Sequence, residues 1–184
     1  MALLYTPAGA LGDQAPDFSL PGVDGRQYAL ADYASHAVLV VAFICNHCPY
    51  VQAIEQRLIV LARDLAGQGA ALVGINSNDV VNYPEDSFDN MQRRAKANNY
   101  PFAYLFDESQ QVARAYGAVC TPDFFVYDQS RCLRYRGRLD DSPRDATRVT
   151  RQELKEAVLA LLAHKAIPEP QHPSMGCSIK WKEG

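Results

Sequence analysis

The sequence lacks any apolar stretch long enough to be a membrane span. Its longest unbroken apolar run, Ala37-Val38-Leu39-Val40-Val41-Ala42-Phe43-Ile44, is about eight residues, against the roughly 20 that a spanning helix needs. It also lacks a strong excess of charge. Lys and Arg number 18 and Asp and Glu 21, a net charge of -3. That balance excludes bulk electrostatic attraction to nucleic acid or to an anionic membrane. The N-terminus, Met1-Ala2-Leu3-Leu4-Tyr5-Thr6-Pro7, has neither a basic n-region nor a long apolar h-region. The expectation is a protein without a signal peptide, at work in the cytoplasm. No internal repeat and no low-complexity segment is present. Cysteine is scarce: five occur, and an odd number fits a secreted disulfide scaffold poorly. A second Cys-x-x-Cys is missing, and His36, His164 and His172 have no metal-ligand spacing, so a zinc site of four clustered ligands has no sequence support.

What is present suits one globular domain. The 184 residues are 48% hydrophobic, enough for a single core across 1–184 and against disorder. Residues 1–36, rich in Gly, Pro and Asp, hold two short apolar pieces, Phe18-Ser19-Leu20 and Tyr28-Ala29-Leu30, around the turn Pro21-Gly22-Val23-Asp24-Gly25. They predict an N-terminal hairpin. Residues 37–44 predict a central strand covered on both faces. Val51, Ile54, Leu58, Leu61 and Leu65 recur at helical spacing from Asn46 to about Ala66, with Pro49 in the first turn. Strands are predicted at 70–76, 103–106, 124–127 and 133–139. Helices are predicted from Asn82-Tyr83-Pro84 to about Asn98, at 109–116, and after Thr150-Arg151-Gln152-Glu153, which reads as a capping box. The fold class is α/β: a central mixed sheet flanked by helices, behind the hairpin, with residues 164–184 as an extended C-terminal tail. Ile179 and Trp181 are expected to anchor that tail.

The chemistry concentrates in Phe43-Ile44-Cys45-Asn46-His47-Cys48-Pro49, two thiols three residues apart where a strand meets a helix. The thiolate is the nucleophile, and a free thiol with a pKa near 8.5 is only a few per cent ionised at neutral pH. A helix N-terminus, with its partial positive charge and unpaired N–H groups, favours the ionised form, and His47 adds to that. The thiol nearer the open end of the helix, Cys45, is expected to attack, and Cys48 to resolve. Two inert core cysteines, or half of a metal site completed by Cys120, Cys177 or His47, are the other readings of the pair. Thr121-Pro122 falls about seventy residues later, before a strand expected to lie beside the pair. A cis Pro122 there would present a backbone edge to a substrate polypeptide. Cys120 is expected to be a buried apolar residue and Cys177 an exposed one. Alternatively, either serves as an auxiliary resolving thiol. Cys132 is expected to be incidental. Arg134, Arg136 and Arg138 alternate and are expected on one solvated strand face.

These motifs together resemble the thioredoxin-like superfamily, in its redoxin (AhpC/TSA-type) branch. The residues that carry the resemblance are Gly12-Asp13-Gln14-Ala15-Pro16-Asp17-Phe18-Ser19-Leu20-Pro21, Cys45-Asn46-His47-Cys48-Pro49-Tyr50, Tyr116-Gly117-Ala118-Val119-Cys120-Thr121-Pro122 and Tyr135-Arg136-Gly137. It covers roughly residues 10–163. The resemblance implies a thioredoxin-like fold, a redox-active Cys45–Cys48 pair and a cis Pro122. Thioredoxins usually have Trp before the first Cys, Gly-Pro between the two, and a buried acid six residues before the first. Here Ile44, Asn46-His47 and Leu39 stand in those places, so proton transfer is expected from His47 or Glu55. The Pro-x-x-x-Thr-x-x-Cys motif of peroxiredoxins is absent: with Cys48 the first two positions are Val41 and Cys45, and with Cys45 they are Val38 and Ala42.

The function expected is thiol-disulfide exchange between Cys45–Cys48 and a disulfide-bearing protein or small molecule. His47, Thr121 and Pro122 would tune the site, and a thioredoxin or glutathione system would supply electrons. No cofactor, metal, nucleic acid or membrane is called for. A thiol peroxidase is the alternative, and a metal-binding or redox-sensing module without catalysis is a third.

Overall fold

The computed structural model describes residues 3–183. Its elements run β1 (Leu3–Tyr5), β2 (Ser19–Pro21), β3 (Gln27–Ala29), β4 (Val38–Phe43), α1 (Pro49–Leu65), β5 (Ala70–Asn76), α2 (Phe88–Asn98) and β6 (Ala103–Phe106). They continue with α3 (Gln111–Tyr116), β7 (Cys120–Thr121), β8 (Asp123–Tyr127), β9 (Leu133–Gly137), α4 (Glu153–Leu162) and β10 (Met175–Ser178). Five strands form the central sheet in the order β6-β5-β4-β8-β9. β4 pairs with β5, and β5 with β6, in parallel, whereas β8 runs antiparallel to both β4 and β9. The sheet is therefore mixed, with helices on both sides, and β2 and β3 form the expected hairpin. Among the described residues no helix is long and apolar enough to cross a membrane.

The run at 38–43 explains the layering. All six residues of β4 are buried. Successive side chains point to opposite faces. Val38, Val40 and Ala42 join a core with Leu58 of α1, Met91 of α2 and Val158 of α4. Leu39, Val41 and Phe43 join a second core with Ala113 and Tyr116 of α3 and with Phe18 and Leu20. Each buried aliphatic or aromatic side chain contributes about 1.5–3 kcal/mol, so a strand sandwiched between two cores fixes the end of β4 rigidly.

Several expectations are corrected. Residues 164–184 are not simply an extended tail. β10 lies between β1 and β7 in a second, antiparallel sheet of three strands. Beyond it Ile179 is buried, and Trp181 packs against the second core under the Arg114 guanidinium, 4.4 Å from the ring centre. The capping box does not form. Thr150 turns its N–H and hydroxyl to the Asp141 carboxylate, Glu153 takes the Arg138 guanidinium, and α4 starts after Gln152. The three arginines do not share a solvated face. Arg134 is exposed, but Arg136 is 8% exposed, sits 4.5 Å over Phe125 and is paired with Asp123 at 2.9 Å. The chain crossing at Gly9 and Gln171 covers it. The helix predicted from Pro84 begins only at Phe88, after a short 3₁₀ turn over Pro84–Asp86.

Candidate active site

The end of β4 delivers Cys45 and Cys48 to the mouth of α1. Ile44 still bonds β5, its N–H on the Ile75 carbonyl at 3.0 Å, so the chain leaves the sheet in a set direction. Pro49 takes the first helical position, where a missing N–H costs nothing. Cys48 is then the N-cap residue; its sulfur makes no capping hydrogen bond, and the nearby Val51 N–H favours its ionised form. This corrects the expectation that Cys45 is the thiol nearer the open end of the helix. Both are enclosed, Cys45 at 2% and Cys48 at 0% exposure.

The loop before β8 meets them. Thr121-Pro122 is a cis peptide. Cys45 Sγ lies 3.3 Å from the Thr121 hydroxyl, and Cys48 Sγ lies 3.1 Å from the Thr121 carbonyl oxygen. The tail brings a third thiol. Cys177, expected to be exposed, is buried in β10, with its Sγ 2.9 Å from Cys48 Sγ. Cys120 is buried, as expected of an apolar residue, and its thiol turns to the Pro122 carbonyl at 3.7 Å. Cys132 lies apart, beside Gln14. All five cysteines are free thiols.

The three clustered thiols are not equivalent. A hydrogen bond from Cys45 pulls the Cys48 pKa down to about 5 against the effect of burial, helped by the Cys177 thiol and the Val51 N–H. The neutral Cys48 thiol can donate to Thr121 and Cys177. Once it is ionised, Cys45 and Cys177 become the donors. The Thr121 carbonyl, an acceptor, pulls the other way. Burial pushes Cys45 well up, and its bond to Cys48 and the charge of Asp86 add to that. Burial, with the bond to Cys48, raises Cys177 to about 12. Cys48 is thus the thiol ionised first.

Beside the pair lies a carboxylate with no sequence signal. Asp86, fully buried, accepts from the Asn46 N–H at 2.7 Å, the His47 N–H at 3.1 Å and the Asn78 amide at 2.7 Å. Its Oδ2 meets His47 Nδ1 at 2.5 Å. Burial alone would raise its pKa, but the bonds from His47 and Asn78 hold it below the ordinary value. The bond to Asp86 raises the His47 pKa against the opposing effect of burial. The imidazole stacks on Tyr83 at 5.3 Å, and its Nε2 is buried without a partner. Ligand atoms of Cys45, His47 and Asp86 lie within 4.8 Å of one another, close enough to share a metal ion. Asp86, however, already spends both oxygens on four donors, so it is built as an orienting group rather than a ligand.

Glu55 does not serve the thiols. Its carboxylate holds Arg94 through two bonds, at 2.7 and 2.9 Å, and accepts the Tyr100 hydroxyl. Leu39, where a thioredoxin-type acid would stand, faces the second core, and Asp86 reaches the pair from the segment before α2 instead. The Thr121-Pro122 edge is not open either, because β10 is paired to it.

Residues 11–136, more than half of the chain, match the model of the AhpC/TSA family. Over 125 residues the chain is 27% identical to the thiol-disulfide oxidoreductase ResA of Geobacillus thermodenitrificans, covering 67% of this chain. The matched segment spans 66% of that curated relative, just under two thirds of its length. An uncharacterized conserved protein from Geobacillus kaustophilus is 47% identical, with a TM-score of 0.96 over 100% of this chain and 98% of that one. A hypothetical protein from Sinorhizobium meliloti is 46% identical, with a TM-score of 0.94 over 98% of this chain and 99% of that one. A putative thiol:disulfide interchange protein DsbE from Chlorobium tepidum, 24% identical over 84% of this chain and 99% of that one, has a TM-score of 0.63 and shares the thioredoxin-like fold.

Proposed function

The chain belongs to the AhpC/TSA family, a redoxin with a thioredoxin-like fold, and we propose that it is a thiol-disulfide oxidoreductase working through Cys45 and Cys48. The observation that carries this reading is the Cys48 sulfur, on the N-cap residue of α1 and 2.9 Å from the Cys177 sulfur, with Cys45 three residues before it. A thiolate held at a helix N-terminus is the reactant that disulfide exchange requires. Cys48 attacks a substrate disulfide, forming a mixed disulfide and releasing one thiolate. Cys45 then loses its proton and attacks the Cys48 sulfur, releasing the second thiolate and closing the Cys45–Cys48 disulfide. His47, oriented by Asp86, takes that proton. An outside dithiol or thiol pair reverses the sequence.

The test is thiol release from a small disulfide in a Cys120→Ser/Cys177→Ser background. We expect two thiols released per protein with the pair intact and none after Cys48→Ser. Cys45→Ser should release one and stop as a mixed disulfide on Cys48. Full activity after Cys48→Ser overturns the reading. Consumption of hydrogen peroxide faster than of any disulfide replaces it with a thiol peroxidase.

A further inference from the structure

The last strand of the chain occupies the place where a substrate polypeptide would lie. β10 runs antiparallel along β7, pairing Cys177 with Thr121 and Ser178 with Cys120. The contact is backbone on backbone. A Cβ added at Gly176 would sit 2.0 Å from the Thr121 carbonyl oxygen and 3.0 Å from Pro122 N. On one side the Ser174 hydroxyl donates to the Pro122 carbonyl at 2.7 Å. On the other, the Ile179 N–H reaches the Val119 carbonyl at 3.0 Å, and the Lys180 N–H reaches Asn78, itself a donor to Asp86. Strand addition to an exposed edge is how an extended peptide gains affinity through main-chain bonds. This edge is already filled, and the residue it holds over Cys48 is a cysteine.

We infer that β10 is an internal stand-in for a substrate strand, that Cys177 is a third exchange thiol facing Cys48, and that the outside substrate is therefore a low-molecular-weight disulfide rather than a folded polypeptide. The inference rests on the disulfide-exchange reading of Cys48. Cys45 and Cys48 are enclosed while β10 is in place, so a polypeptide strand must first displace it. The cavity on the other side of β10, about 170 Å³ between Tyr50, Ile54, Pro122, Ser174 and Met175, is lined by none of the three thiols and is smaller than the roughly 300 Å³ at which pockets for drug-sized ligands begin, so it offers a polypeptide no second way in. The chemistry balances. The Cys48 thiolate cleaves a small disulfide RSSR, giving Cys48–S–S–R and one RS⁻. Cys177 gives up its proton and attacks the Cys48 sulfur, breaking that mixed bond and releasing the second RS⁻, which takes a proton. The small disulfide gains two electrons, and Cys48 and Cys177 lose two as their disulfide forms. Attack of Cys45 on Cys48 then returns Cys177 to the thiol, with no further net oxidation.

The experiment uses the full chain, reduced, with cystamine as the probe. After Cys45→Ser we expect two equivalents of released thiol and a Cys48–Cys177-linked peptide in the mass spectrum. After Cys45→Ser with Cys177→Ser we expect one equivalent and a retained mixed disulfide. A Cys45→Ser protein that stops at one equivalent with Cys177 free overturns the inference. No release even by the unaltered chain defeats instead the disulfide-exchange reading on which it rests. In a second arm, cystamine competes with insulin. The unaltered chain should reduce cystamine faster by about tenfold or more, the factor that roughly one net hydrogen bond is worth. Gly176→Ala, which pushes β10 off Thr121, should narrow that ratio. Ser174→Ala, which removes only the hydroxyl bond to Pro122, serves where Gly176→Ala does not fold. Equal rates on the two substrates, or an unchanged ratio in the strand variants, overturns it.

Discussion

Removing the Cys177 thiol should make Cys48 a weaker acid, and the size of the change follows from the contact. Cys177 Sγ lies 2.9 Å from Cys48 Sγ, and Cys48, with a pKa of about 5, is the thiol ionised first. At neutral pH Cys177 therefore donates to a thiolate. A hydrogen bond to a charged group is worth about 1.5–3 kcal/mol, and 1.36 kcal/mol corresponds to one pKa unit. Cys177→Ala should then raise the Cys48 pKa by about 1–2. Cys177→Ser, which keeps a donor, should raise it less. The assay is a pH titration of ultraviolet thiolate absorbance in protein lacking Cys120 and Cys132. The sign of the linked stability change is also determined. A thiol whose pKa is lowered by folding contributes stability that is present above its unfolded value, near 8.5, and lost as pH falls through the folded one. The reduced protein should gain stability from about pH 5 to about pH 8.5 through this group, and Cys177→Ala should flatten the gain. A titration midpoint that is the same in the Ala variant as in the parent would refute the argument. Equal large shifts for Ala and Ser would assign the effect to packing instead.

Asp86→Asn should return the His47 pKa toward its ordinary value, read from the imidazole resonances by NMR. His47 is raised in the fold, so its share of stability is present below about 6.5 and lost as pH rises through the folded value. Asp86 is lowered, so its share is present above the ordinary carboxylate range and lost as pH falls. The variant should flatten both flanks of the stability profile, and unchanged flanks would show the pair to be uncoupled. Gly176→Ala should lower the denaturation midpoint by an amount equivalent to about 1–3 kcal/mol, the usual cost of overpacking, because its Cβ meets the Thr121 carbonyl. A parental midpoint would mean that β10 does not rest on Thr121. Glu55→Gln should cost stability, about 1–3 kcal/mol, by weakening the bonds to Arg94 and Tyr100. It should leave the pH dependence of thiol release unmoved, and a shifted pH profile would restore Glu55 as a proton carrier.

The layered fold was legible because its signals are local. The run at 38–43 alternates between two cores, so its unbroken apolarity is itself the mark of a strand covered on both faces. The helical face Val51, Ile54, Leu58, Leu61 and Leu65 is the buried face of α1. One further signal is equally local. Pro at the first helical position marks the residue before it as the N-cap, so Pro49 pointed to Cys48 as the thiol on the helix end. Glu55 is an instance of what periodicity leaves open. The pattern places it on α1 close to the thiols in sequence, but not which neighbour its carboxylate meets, and Arg94 lies 39 residues away.

Asp86, and the place of Cys177 against Cys48, were illegible for a different reason. Asp86 reaches His47 across 39 residues, from a 3₁₀ turn whose Pro-Glu-Asp reads as an ordinary helix opening. Cys177 reaches Cys48 across 129 residues, in a four-residue strand set among prolines and polar residues. Such a strand has no period of its own. It exists because β1 and β7 each pair with one of its edges, and those pairings are properties of the assembled chain. The same non-locality gives the tail its chemical weight. A cysteine in a free tail meets Cys48 only by chance encounter, whereas one held in register with Thr121 keeps its sulfur at 2.9 Å from the reactive thiol. Intramolecular placement of this kind replaces a diffusional encounter with a fixed geometry. A site expected to hold a thiol pair beside an open edge, with Cys120 or Cys177 as the alternative third thiol, thus holds Cys177 at a filled edge, and the size of the molecules it admits depends on how firmly β10 is held.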